Sequence, residues 1–261
     1  MKIAQISDLH IAAKGKTLGV VPMAENLTKV VAHINGLKPD IVLVSGDISN
    51  ECRLDEVKRA AEILANLDAP FYVTPGNHDD RGALQQGFPV DALPAKEVGH
   101  LSYALDFPHL RILALDSSDP DVSNGRICLE RAAWLAAELA VSSKPTVIFM
   151  HHPPVKFAVS ETDNPPLEGA DLLAKVVAEH SHIERILCGH IHLFAQALWQ
   201  GCLVCSAPSL GMRLNWSPNS DRASSFLRSP PAFLWHMYNA DGLMITHAFT
   251  LDDSAGPFEF S

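Results

Sequence analysis

The sequence predicts an α/β fold with mixed strand directions, on three observations. Short apolar runs end abruptly in polar residues, amphipathic helical patterns separate several of those runs, and the last third of the chain carries strand patterns with no helix between them. In order, Ile3 to Ile6 is the first strand, and Met23, Leu27, Val30, Val31 and Ile34 mark a helix face. Ile41 to Val44, a helix on Leu54, Val57, Ala61 and Leu64, and Phe71 to Val73 repeat the unit. Ser102 to Leu105 and Leu110 to Leu115 stand close enough for a hairpin, which makes a mixed sheet the expectation. A helix on Trp134, Leu135 and Leu139, a strand at Val147 to Met150, a helix on Leu172, Leu173, Val176 and Val177, and a strand at Ile186 to Cys188 follow. Beyond residue 193, Phe194 to Trp199, Leu203 to Cys205, Phe233 to Tyr238 and Leu243 to Phe249 read as strands of a second sheet packed on the first. Residues 206–231, rich in Ser, Asn and Pro, read as a long lid or contact loop on a single domain spanning 1–261.

Composition narrows the function. With 261 residues, 47% of them hydrophobic, the chain can build a sizeable core. No apolar stretch approaches the roughly 20 residues that span a bilayer, and the start turns polar too soon for a signal peptide, so the expectation is a soluble, cytoplasmic protein without a membrane partner. Thirty Asp and Glu against 20 Lys and Arg argue against an extended nucleic-acid partner. Five cysteines suit reduced, mostly buried thiols; Cys202 and Cys205 have redox-motif spacing but lie in strand-like sequence and read as core. Thirteen histidines in an acidic chain invite a metal hypothesis.

The polar residues just past the strand ends carry the chemistry. They are Asp8-Leu9-His10, Gly46-Asp47, Gly76-Asn77-His78-Asp79, His151-His152-Pro153-Pro154 and Gly189-His190-Ile191-His192. Carboxyl ends of strands on one edge of an α/β sheet form a ligand crevice, so these segments are expected to converge. Their Asp, His and Asn donors, with no thiolate, are the set of a hydrolytic divalent-metal site. Asp8 with His10, and His190 with His192, stand two apart, which in extended backbone puts both side chains on one face. Asp47 suits bridging, one oxygen to each ion, and the neutral Asn77 would make one metal position weaker. Gly76 suits a tight turn. Singly, each could be a cap or a solvated turn; five in one order, each ending a strand, point to a di-metal site. Alternation puts His151 and His152 on opposite faces and does not choose between them. His33, His100, His109, His180, His182, His236 and His247 have no such setting and read as surface or core-edge residues.

These motifs resemble the calcineurin-like metallophosphoesterase superfamily, whose pattern is Asp-x-His, Gly-Asp, Gly-Asn-His-Asp/Glu, His and Gly-His-x-His, met here in order over residues 8–192. Ile6 to His10, Ser45 to Asp47, Pro75 to Asp80, Leu115 to Ser118, Met150 to Pro154 and Cys188 to His192 further resemble class III cyclic nucleotide phosphodiesterases and related glycerophosphodiesterases. The resemblance implies a four-layer α/β/β/α sandwich of two mixed sheets flanked by helices. It implies two divalent ions (Fe, Mn, Zn or Co), the first on Asp8, His10, Asp47 and His192, the second on Asp47, Asn77, His151 and His190. It selects His151 over His152 and makes His78 the catalytic residue beside the leaving group. The activity implied is hydrolysis of small phosphodiesters, cyclic nucleotides such as cAMP or glycerophosphodiesters, by a hydroxide between the ions. A phosphomonoesterase, a pyrophosphatase or, with no motif element lost, a less fitting non-catalytic binding module are the alternatives on the same fold. Asn50 stands where purple acid phosphatases carry a metal-binding tyrosine, and the Asp-Arg-Gly of Ser/Thr phosphatases is missing. Asn77, His78, Arg213, Asn215 and Trp216 are the candidate substrate contacts. The family includes dimers and larger assemblies, so a homo-oligomer is within the expectation.

Overall fold

The structure, a computed structural model, describes residues 1–16, 19–96, 99–217, 225–252 and 258. The first half alternates β1 (Lys2–Ile6), α1 (Met23–Leu37), β2 (Ile41–Ser45), α2 (Leu54–Leu64), β3 (Phe71–Thr74) and α3 (Arg81–Gly87). The hairpin β4 (Tyr103–Asp106) and β5 (Arg111–Ala114) leads to α4 (Leu129–Ala140), β6 (Thr146–Phe149), α5 (Ser160–Asp163), α6 (Ala170–Ala178) and β7 (Ile183–Cys188). The remaining strands are β8 (Ala195–Trp199), β9 (Cys202–Ser206), β10 (Met212–Leu214), β11 (Phe226–Arg228), β12 (Ala232–Tyr238) and β13 (Met244–Thr250). The two short helices α3 and α5 have no periodicity long enough to show in the sequence; α3 is fixed instead by its cap, the Asp80 carboxylate accepting from Ala83 N at 2.8 Å.

One sheet has the order β13-β12-β1-β2-β3 and the other β4-β5-β6-β7-β9-β8. In the first, β1, β2 and β3 are parallel, β12 is antiparallel to β1, and β13 is antiparallel to β12; in the second, β5, β6, β7 and β9 are parallel between antiparallel edges. Both sheets are mixed, as expected, but the C-terminal strands do not form a sheet of their own. β8 and β9 extend the second sheet beside β7, whereas β12 pairs with β1 in the first. Local patterning marks a strand without naming its partner, and burial over long sequence separation decides that.

Alternation along the second sheet sorts its side chains into two cores. Ile112, Ala114, Val147, Phe149, Leu187 and Cys205 face the first sheet and join the core that also takes in α1 and α2. Leu113, Leu115, Ile148, Ile186, Cys188 and Val204 face outward, under Leu135 and Leu139 of α4 and Leu173 and Val177 of α6. Helices on both outer faces of two stacked sheets give the α/β/β/α layering. A buried polar chain joins the sheets: Gln5 Nε2 donates to Ser45 Oγ and to the Cys188 carbonyl, both at 2.9 Å, and Gln5 Oε1 accepts from His236 Nε2 at 3.1 Å.

Three sequence expectations need correction. Residues 206–231 are not a loop throughout, because β10 and β11 pair as an antiparallel ribbon within them; 218–224 lie outside the described residues. His100 and His236 are buried, the latter by the Gln5 contact and by Thr246 Oγ1 at 2.8 Å from its Nδ1. All five cysteines are free, with Cys188, Cys202 and Cys205 buried as expected, but Cys52 is exposed. Among the described residues no helix is long and apolar enough to cross a membrane.

Candidate metal centre

The parallel strands of both sheets deliver their carboxyl ends to one edge. Asp8 and His10 follow β1, Asp47 follows β2, Asn77 and His78 follow β3, His151 follows β6, and His190 and His192 follow β7. The sheets meet there directly: the Asp8 carboxylate accepts from His190 N at 3.0 Å, and His151 Nδ1 donates to the Ser45 carbonyl at 2.8 Å. A Cβ on Gly76 would collide with the Asp47 carboxylate, and one on Gly189 with Ser7 Oγ. Gly76 therefore serves close approach as well as the tight turn expected of it, which Asp79 N closes on the Gly76 carbonyl at 3.3 Å.

The backbone reaches this geometry by a route the sequence did not suggest. Asp8, His10, Asp47, His190 and His192 all have positive φ, between 40° and 72°, so the two-residue spacings do not act through extended backbone. Left-handed conformations at non-glycine residues are costly, and their gathering at one point marks a functional constraint.

The side chains of six of the seven expected ligand residues, Asp8, His10, Asp47, His151, His190 and His192, come together, and Asn77 follows β3 at the same edge. His10 Nε2 lies 3.1 Å from His192 Nε2 and 3.6 Å from Asp47 Oδ2; His151 Nε2 lies 3.3 Å from the same Oδ2, and His192 Nε2 lies 3.4 Å from Asp8 Oδ1. Ligands about 2.0–2.2 Å from a common ion stand roughly 3–3.6 Å from one another, so these spacings suit shared cations. Asp47 Oδ1 accepts from His78 N at 2.8 Å, which leaves Oδ2 as the oxygen between the His10 and His151 groups, not one oxygen for each side. Asp8 Oδ2, Asn77 Oδ1, His151 Nε2 and His190 Nε2 are buried with no hydrogen-bond partner among the described residues. Buried polar atoms are ordinarily paired, and these share a need for a cation. The donor set fits a divalent metal.

Carbonyls set the imidazole tautomers. His151 Nδ1–H is held by the Ser45 carbonyl and His192 Nδ1–H by the Met212 carbonyl at 2.7 Å, which turns both Nε2 lone pairs inward. His78 Nδ1 donates to the Asn50 carbonyl at 2.8 Å, and its ring stands edge-on to His10 at 4.8 Å between centroids. Burial and neighbouring imidazoles push His190 down to about 3. Burial works against charge on His151 too, but the Asp47 and Asp8 carboxylates outweigh it and lift its pKa to about 9. Asp79, raised to about 6 by burial and by Asp47, ties the two loops together by accepting from Ile48, Ser49 and Gly76 N at 2.8–3.1 Å.

The sequence reading missed the carbonyls of Asn50, Ser45 and Met212, which no side chain advertises, and the role of Asp79, although its place in the motif was visible. Arg213 and Asn215 are not brought to the centre. The groove of about 240 Å³ beside His190 and His192 is walled by Met212, Leu214 and Phe226, and the intervening Arg213 is exposed on the other face of β10. Asn215 is engaged with Ser225, and Trp216 donates to the Ala158 carbonyl at 2.7 Å.

The family model for calcineurin-like phosphoesterases matches residues 1–194. The chain belongs to that family. It is 34% identical over 266 residues to the Arcobacter nitrofigilis protein named "Probable glycerophosphodiester phosphodiesterase GpdQ", an alignment covering 100% of this chain and 97% of that one. It is 28% identical over 261 residues to the 3′,5′-cyclic adenosine monophosphate phosphodiesterase CpdA of Escherichia coli K12, covering 97% and 91%. Among solved structures, a dimetal phosphatase from Danio rerio superposes with a TM-score of 0.65 over 90% of this chain and 95% of that chain at 18% identity, a likeness of fold. Calcineurin-like phosphoesterases such as this one depend on metal, and the clustered Asp and His side chains are suited to hold it.

Proposed function

We propose that this phosphoesterase hydrolyses small phosphodiesters with two divalent cations, the substrates being 3′,5′-cyclic nucleotides or glycerophosphodiesters, the classes in its relatives' names. The observation that carries the reading is the convergence of Nε2 and Oδ atoms on Asp47 Oδ2 where both sheets end. Asp8, His10, Asp47 and His192 are assigned to one ion, and Asp47, Asn77, His151 and His190 to the other. Mixed nitrogen and oxygen donors suit Fe, Mn, Zn or Co.

When bound, the cations supply Lewis acidity, which lowers the pKa of coordinated water and draws charge from the phosphoryl oxygens. The protein's part is orientation and proton transfer. The Ser45 and Met212 carbonyls fix His151 and His192, so the site is arranged before substrate arrives. His78, anchored through Nδ1–H to the Asn50 carbonyl, would as the imidazolium carry its second proton on Nε2 and give that proton to the departing ester oxygen, leaving the neutral ring, a role typically worth 10²–10⁴-fold. The Met212, Leu214 and Phe226 groove takes an ester substituent through apolar contact.

Turnover of cAMP, a glycerophosphodiester, a bis-aryl phosphate and an aryl monoester by metal-loaded protein tests the reading. Diester hydrolysis exceeding monoester hydrolysis is expected. Faster monoester turnover favours a phosphomonoesterase, and no turnover of any of the four with both ions bound favours a binding module.

A further inference from the structure

We propose that Ser117 and His152 form a positioning pair that fixes the His151 and His190 rings, an inference that rests on the assignment of those two histidines to one ion. The His152 ring is buried against both, 4.7 Å between centroids from His151 at 88° and 4.7 Å from His190 at 57°. His151 and His190 are themselves 5.1 Å apart. Ligating atoms of all three lie within 4.8 Å of one another, so proximity alone would admit His152 as a third nitrogen ligand.

Hydrogen bonding separates the three. A carbonyl only accepts, so the Ser123 carbonyl 3.1 Å from His152 Nε2 places the ring proton there. Nδ1 is then an acceptor, and it receives the Ser117 hydroxyl proton at 2.9 Å. Ser117 Oγ in turn accepts from His152 N at 3.1 Å, so one hydroxyl holds both the ring and the backbone of this residue. Neither nitrogen of His152 has a lone pair left for a cation, whereas Nε2 of His151 and of His190 is buried without a partner. Gly125 completes the cradle, because a Cβ there would strike the His152 ring and the Ser117 carbonyl. The ring is thus locked by groups remote from the metal centre and presses its faces and edges on two residues of the centre. Ser117 belongs to the Leu115 to Ser118 motif, to which the reaction itself gives no role.

Metal-loaded wild type, Ser117→Ala, His152→Phe and the double variant are dialysed against graded chelator, and ions per chain are counted by elemental analysis beside thermal midpoints. Each single variant is expected to release one ion at roughly 10–100-fold lower chelator concentration than wild type and to keep the other, the size typical of lost support to a metal ligand. The double variant is expected to match His152→Phe, since the two residues act as one unit. Ser117→Ala removes a single oxygen and carries the test if His152→Phe fails to fold. Wild-type retention in the variants, or loss of both ions together, overturns the positioning role. A wild type that holds fewer than two ions overturns instead the assignment on which it rests.

Discussion

Gly76→Ala is the smallest change that reaches the centre of the site. The added Cβ would stand 2.9 Å from Asp47 Cγ and nearer still to Oδ1, about 0.5 Å or more inside the 3.4 Å at which ordinary contact begins. The close neighbours are Asp47 backbone and a carboxylate already committed to His78 N, not the tip of a flexible chain, so the 76–79 loop or Asp47 must retreat. Crowding of this kind costs about 1–3 kcal/mol of stability. A displacement approaching 1 Å among reacting groups costs about 10²-fold in rate. Steady-state kinetics on a diester, with the thermal midpoint and metal content of the same preparation, read all three effects. Gly82→Ala is the control, since its Cβ in α3 would meet only the Asp80 and Gln86 side chains at 3.2 and 3.9 Å, and near wild-type activity is expected of it. Wild-type kcat and full metal content in Gly76→Ala would refute the claim that this glycine exists to admit Asp47.

Two further outcomes are expected. His78→Ala should keep both ions and lose about 10²–10⁴-fold in kcat on an alkyl diester but far less on an activated aryl diester, because only the poor leaving group needs the proton; equal losses on both count against that role. His236, pushed by burial from 6.5 down to about 3, stays neutral in the folded protein while the unfolded chain binds a proton below pH 6.5, so stability is full above that pH and falls as pH drops toward 3. Between pH 6.5 and 4.5 the loss from this residue grows by on the order of 1 kcal/mol per pH unit, and His236→Gln should flatten urea-unfolding stability against pH over that window; an unchanged slope contradicts it.

The strands and the larger helices were legible because each is a local pattern, and so was the gathering of Asp8, His10, Asp47, His151, His190 and His192, since every one lies within a few residues of the end of an apolar run. The pairing of β12 with β1 was not legible, as Ile3 meets His236 across more than two hundred residues. Nor was the left-handed backbone at Asp8 and His190, a conformation that few non-glycine residues adopt and that no local pattern in the sequence marks. Arg213 was chosen for its charge, but strand alternation turns Met212 and Leu214, its neighbours, toward the groove. The state of His152 rests on Ser117 and Ser123, about thirty residues away in sequence, and no periodicity along its own strand reports it.

The sharing of Asp47 by two ions is tested most directly by counting metal in purified, metal-loaded wild type and Asp47→Asn, with circular dichroism on both. Two ions per wild-type chain and a folded variant that retains fewer than one are expected, because His10 and His151 both approach Asp47 Oδ2. A folded Asp47→Asn chain that still holds two ions contradicts the shared carboxylate.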